Sequence, residues 1–213
     1  TTTILREMSM FKFEGTALKL LLFIVPLLLL YGCGSPAIKP PIPRSYVAPV
    51  IPKKEIVIPN AVQNELDIFK PRYWKYIVIH HSASEVGNAS SIGKYHREVN
   101  GWENGLGYHF LIGNGNGASD GQIEVGNRWN SQIDGAHAGN GEYNKYGIGI
   151  CLVGNFQNRH PTDSQISSLV YLVNYLQKRC NISTENIVMH CNVRKTECPG
   201  NQFPYYEVLA RLR

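Results

Sequence analysis

Seven prolines fall between residues 34 and 60 (Pro36, Pro40, Pro41, Pro43, Pro49, Pro52 and Pro59), and they constrain this chain more than any other feature. A proline has no amide proton to give a helix interior or a central strand, and it keeps the residue before it extended. The stretch therefore reads as a semi-rigid spacer, with Lys39, Arg44, Lys53 and Lys54 set along it. It divides the 213 residues into an N-terminal segment over 1–33, a linker over 34–70 and one folded domain over 71–213. Hydrophobic residues at 43% against 17% charged supply a core and exclude disorder along the whole chain. The net charge of +5 divides into +3 over 1–70 (eight basic, five acidic) and +2 over 71–213 (thirteen basic, eleven acidic). Charge this diffuse does not point to nucleic acid as a partner.

The first 33 residues read as an export segment, because Arg6, Lys12 and Lys19 precede an apolar run from Leu20 to Leu30. That run falls short of the roughly 20 apolar residues of a spanning helix, and Pro26 interrupts it. Met8 and Met10 are both candidate starts. Leu30-Tyr31-Gly32-Cys33 resembles a bacterial lipobox, which implies lipidation of Cys33 and a membrane-tethered protein of the cell envelope. Gly34 after the cysteine favours, by the same resemblance, the outer membrane facing the periplasm. An ordinary signal peptide with an incidental cysteine is the alternative.

Within the folded part, Tyr76-Ile77-Val78-Ile79-His80 is a nearly continuous β-branched run, the pattern of a strand covered on both faces. Further strands are expected at Tyr108 to Ile112, Gln122 to Val125, Gly147 to Val153 and Ile187 to His190. Ile92, Tyr95, His96 and Val99 recur at helical spacing and predict a short amphipathic helix ended by Asn100-Gly101. Thr162 and Gln165 form a capping-box pair at the head of a helix over about 163–179, whose stripe is Ile166, Leu169, Val170, Val173 and Leu176. Pro204 opens a last helix through Val208, Leu209 and Leu212. Strands interleaved with helices predict an α/β (α+β mixed) single domain, a central mixed sheet flanked by helices.

His80 and His190 each end a predicted strand, and Cys198 follows His190 by eight residues in Thr196-Glu197-Cys198-Pro199-Gly200. Two imidazoles and a thiolate suit a borderline-soft, redox-inert ion, and three protein ligands leave one position open for chemistry. Taken singly, a histidine at a strand end is more often a hydrogen-bonded core residue, and a lone cysteine a small hydrophobe. His81, beside His80, is turned to the opposite face by strand alternation.

Six segments in order raise the metal reading. They are Ile77-Val78-Ile79-His80-His81-Ser82, Gly101-Trp102 with Gly107-Tyr108-His109-Phe110-Leu111-Ile112-Gly113, Gly135-Ala136-His137-Ala138-Gly139, Gly147 to Phe156, Pro161-Thr162 to Leu176, and His190 through Cys198-Pro199-Gly200. Together they resemble the zinc-dependent type 2 N-acetylmuramoyl-L-alanine amidases, the family of the phage lysozyme amidases and the peptidoglycan recognition proteins. The resemblance implies zinc held by His80, His190 and Cys198, with Tyr108 and Thr196 as catalytic hydroxyls beside it. It implies hydrolysis of the bond between N-acetylmuramic acid and L-alanine, with peptidoglycan or muropeptides as partners. The phage enzymes carry lysine at the place of Thr196 and the amidase-active recognition proteins threonine, so this chain matches the second group.

The same resemblance sets His137 on the rim of a substrate groove, while Trp102, Arg128 and Trp129 read either as groove lining or as loop anchors. His109 reads equally as substrate contact or as a packed residue, His96 as helix packing and His160 as a solvated turn. With Cys33 given to lipid and Cys198 to metal, a disulfide among Cys151, Cys180 and Cys191 would most simply join the last two. Two rivals stand beside the amidase. A non-catalytic recognition module would keep the fold and bind murein, and it typically lacks the thiolate that Cys198 provides here; a cysteine hydrolase using Cys198 with His190 lacks an evident orienting partner. The chain is expected to work as a monomer.

Overall fold

The computed structural model describes residues 60–67 and 70–212. The export segment, Cys33 and the proline-rich stretch up to Pro59 lie outside the described residues. Five strands form one mixed sheet in the order β3-β2-β4-β1-β5. They are β1 (Tyr76–His81), β2 (Phe110–Ile112), β3 (Ile123–Val125), β4 (Gly147–Leu152) and β5 (Ile187–Met189). β1 lies parallel to both β4 and β5, β2 parallel to β4, and only β3 runs antiparallel to its neighbour.

Every residue of β1 and β4 is buried, as their unbroken apolar runs require of strands covered on both faces. Alternation sorts their side chains into two cores. Ile77, Ile79, Ile148, Ile150, Phe110 and Ile187 join the stripe of α5 (Asp163–Cys180) and α6 (Tyr205–Ala210) in the main core. The other face carries Tyr76, Val78 and Val188 against Tyr143 and Tyr146 of α4 (Gly141–Tyr146), and Leu111 beside Leu106 and Ile92 of α2 (Ala89–Glu98). The capping box on α5 forms as the sequence predicts, Thr162 Oγ1 accepting from Gln165 N–H and the Gln165 side chain accepting from Thr162 N–H. Asn181, in the left-handed region at φ 54°, ends that helix.

Three expectations need correction. The folded part does not begin at 71: α1 (Asn60–Asp67) buries Leu66 completely in the main core, and Tyr175 Oη donates to its carbonyl at 2.9 Å. Proline ends at Pro59, so nothing in 60–70 opposes a helix. On α2 the buried positions are Gly93 and His96, while Tyr95 and Val99 of the expected apolar stripe are 57% and 62% exposed. His96 is pulled inward because its Nδ1 accepts from Gly107 N–H at 3.0 Å. Cys180 and Cys191 are free thiols; the first packs on the main core at the end of α5 and the second lies exposed after β5.

Candidate functional site

The site follows from strand register. β1 and β5 pair with Val78 opposite Val188, so His80 and His190, each two residues further on, emerge on the same face. The loop after β5 returns Cys198 to them, closed by a hydrogen bond from Cys191 N–H to the Cys198 carbonyl at 2.9 Å. One donor atom each from His80, His190 and Cys198 then lies within 4.8 Å of the others, and Cys198 Sγ stands 3.7 Å from His80 Nδ1. His190 gives its Nε2–H to the Ala138 carbonyl at 3.1 Å, which leaves Nδ1 for a ligand. The His81 amide donates to Cys198 Sγ at 3.3 Å, an arrangement that favours the thiolate. His81 itself turns away, its Nδ1 accepting from Phe156 N–H at 3.2 Å.

These three residues could hold a metal, and the separation fits one. A tetrahedral ion with bonds of about 2.05 Å to nitrogen and 2.3 Å to sulfur sets the two donors roughly 3.5 Å apart. Burial, then the neighbouring His137 and His190, holds His80 well below the usual imidazole range, so it is neutral and able to ligate. Burial also lowers His190 and pushes the Cys198 thiol up to about 12 in the metal-free protein.

Tyr108 lies over this cluster, its ring centroid 5.1 Å from that of His80. The residue is half-buried but its hydroxyl is desolvated; burial first, then Cys151 and Cys198, raises it well above the usual phenol range, and it stays a donor. A groove of about 500 Å³ opens from Tyr108 along Ser82, Val86, Ile92, Tyr95 and His96. Val86 and Tyr95 are more than half exposed there, and Tyr95 is an apolar lining residue that helical periodicity set on a buried stripe. Thr196 is placed differently. Its Oγ1 accepts from Cys198 N–H at 3.3 Å, and its side chain lines a separate cavity of about 530 Å³ with Met189, Cys191 and Tyr205.

The residues expected at a substrate rim lie mostly inside. His137 is 7% exposed and sits behind His80, with Nδ1 3.0 Å from His80 Nε2. His109 is fully buried, because Gly149 N–H donates to its Nδ1 at 3.0 Å and its Nε2 faces the Ile133 carbonyl at 3.2 Å. Arg128 is a loop anchor, giving Nε to the Leu106 carbonyl at 2.8 Å and Nη1 to that of Asp134. Trp129 is fully buried in the main core, and half-buried Trp102 packs on the His96 ring at 4.7 Å instead of lining the groove. Cys151, which the sequence reading left out of the site, pairs with His80 across β1 and β4 and reaches the Tyr108 hydroxyl. The signal for it was present in strand alternation, since Gly147, Gly149 and Cys151 share one face.

Comparisons with known proteins place the fold in a family. Residues 70–201 match the Amidase_2 family model, described as N-acetylmuramoyl-L-alanine amidase. The chain is 35% identical over 137 residues to peptidoglycan-recognition protein SC1a of Drosophila melanogaster, covering 60% of this chain and 69% of that one. It is similar in structure to the N-acetylmuramoyl-L-alanine amidase LysC from Clostridium intestinale, at 35% identity and a TM-score of 0.57, over 68% of this chain and 88% of that one. It also resembles peptidoglycan recognition protein-LE, solved in complex with tracheal cytotoxin, a monomeric diaminopimelic acid-type peptidoglycan, at 27% identity and a TM-score of 0.53, over 67% and 85% of the two chains. With more than half of its length matched by the family model, the chain belongs to the Amidase_2 family of N-acetylmuramoyl-L-alanine amidases.

Proposed function

We propose that this chain is an active zinc-dependent N-acetylmuramoyl-L-alanine amidase, hydrolysing the amide between the lactyl group of N-acetylmuramic acid and L-alanine in peptidoglycan or its fragments. The observation that carries this reading is Cys198, whose sulfur stands at ligating separation from His80 in a cluster completed by His190. Zinc held by these three residues would polarise the scissile carbonyl and lower the pKa of a water towards about 7. The Tyr108 hydroxyl, kept protonated by burial, donates to the carbonyl oxygen as negative charge develops there. Thr196 supports the ligand loop, its hydroxyl accepting from the Cys198 amide. Val86 and Tyr95 offer apolar faces along the groove to the sugar and the stem peptide.

The protein is further proposed to act as a monomer, lipidated at Cys33 and held at the outer membrane facing the periplasm, with the proline-rich stretch as its tether. No helix among the described residues is long and apolar enough to cross a membrane.

Zinc analysis of the purified chain, with mass spectrometry of products from purified muropeptides, tests the enzyme. Near one zinc per chain and release of free stem peptide are expected, both lost in Cys198→Ser, because a neutral hydroxyl replaces a soft anionic ligand. Full hydrolysis by a metal-free Cys198→Ser variant refutes the zinc assignment. Retention of muropeptide without cleavage by the zinc-loaded native chain makes it a recognition module instead.

A further inference from the structure

Behind the three donors lies a second layer of histidine with no part in the proposed chemistry. The His137 ring occupies space that two glycines leave open. A methyl group at Gly149 would stand 2.5 Å from His137 Cδ2, and one at Gly135 would stand 2.3 Å from it. Gly149 lies within a buried central strand, where glycine weakens the strand and commonly marks the close approach of another group.

The hydrogen bonds around this ring determine where its proton sits. His137 Nε2 faces the Gly147 carbonyl at 3.2 Å, an acceptor only, so Nε2 carries the proton. Nδ1 of the neutral ring is then a bare lone pair. It faces His80 Nε2 at 3.0 Å, and that nitrogen must therefore donate. With its proton on Nε2, His80 presents the lone pair of Nδ1 on the side of Cys198 Sγ. Metal-bound histidines usually give their second N–H to a carboxylate, a carbonyl or water. Here a buried neutral imidazole stands between the ligand and the backbone carbonyl, which orients the ring without burying a charge.

We propose that His137 is a positioning residue that locks His80 in its Nε2–H tautomer and so selects Nδ1 as the nitrogen offered to the metal. The effect on metal rests on the zinc reading above, whereas the proton assignment does not. His137→Asn keeps an oxygen acceptor near the place of Nδ1, and His137→Phe removes the acceptor while keeping a ring.

The test labels the histidines of the full chain with ¹⁵N. It reads the protonated nitrogen of His80 in the metal-free state, and it measures zinc affinity by competition with a chromophoric chelator. In the native chain and in His137→Asn, His80 should carry its proton on Nε2. In His137→Phe the tautomers should mix and zinc affinity should fall by about 10- to 100-fold, the usual cost of losing such a partner. A native His80 protonated on Nδ1 overturns the proposal whether or not either variant folds. Equal zinc affinity in a folded His137→Phe, or an equal loss in both variants, overturns it as well. If the native chain takes up no zinc while His80 still shows Nε2–H, the zinc assignment fails and the positioning by His137 stands.

Discussion

Replacing His109 with glutamine should change how the fold responds to acid. The imidazole is fully buried, with one nitrogen accepting from Gly149 N–H and the other facing the Ile133 carbonyl. Burial, then the neighbouring His137, holds it well below the usual histidine range, so the folded protein keeps it neutral. In the unfolded chain it titrates near its ordinary value of about 6.5. Below that pH the unfolded state binds one proton more than the folded state at this position, so stability is fully present above about 6.5 and is lost as pH falls. The loss is about 1.4 kcal/mol for each pH unit, or about 2 kcal/mol by pH 5. His109→Gln removes this proton, although it also disturbs two hydrogen bonds and should lower stability at pH 8 by about 1–3 kcal/mol. Urea unfolding of both proteins from pH 8 to pH 5, in chelator so that metal linkage drops out, should show the gap between them shrinking by about 2 kcal/mol. A gap that stays constant across this range would refute the assignment of a neutral, buried His109.

Tyr108→Phe keeps the ring and removes the donor, so zinc content and Tm should hold while kcat falls roughly ten- to a thousandfold; Thr196→Val, read in the same assay, tests the hydroxyl that supports the Cys198 loop, and normal turnover in both would remove both roles. Leu66→Ala should cost about 2–5 kcal/mol by denaturant unfolding, the price of emptying a filled core position, whereas a spacer residue there would leave stability unchanged. Cys33→Ala should abolish incorporation of labelled fatty acid and membrane partitioning without altering muropeptide hydrolysis, and full-length protein found only in the soluble periplasmic fraction would refute the anchor.

What the sequence determined by itself is what local pattern encodes. Uninterrupted β-branched runs gave the buried strands, the Thr162 and Gln165 spacing gave the start of α5, and alternation separated His80 from His81. The three candidate ligands were also legible, because each ends a strand or closes the loop beside one, and parallel register brings such ends together. Tertiary structure decided which neighbouring groups cover each side chain. Arg128 and His109 have polar groups that suit a groove, and the carbonyls and amides that bury them come from segments up to forty residues away. Tyr95 shows the converse: its place on a helical stripe suggested the core, yet the His96 bond to Gly107 rotates the buried face of α2 and leaves Tyr95 open along the groove. Leu66 needed α5 and the sheet beside it before its short helix had a face to bury, since one polar-rich turn pattern after a proline run carries no signal of its own. Periodicity fixes which residues share a face, but a hydrogen bond to a distant backbone is satisfied only when the chain has folded, and that bond settled whether His137 stands at a rim or behind His80.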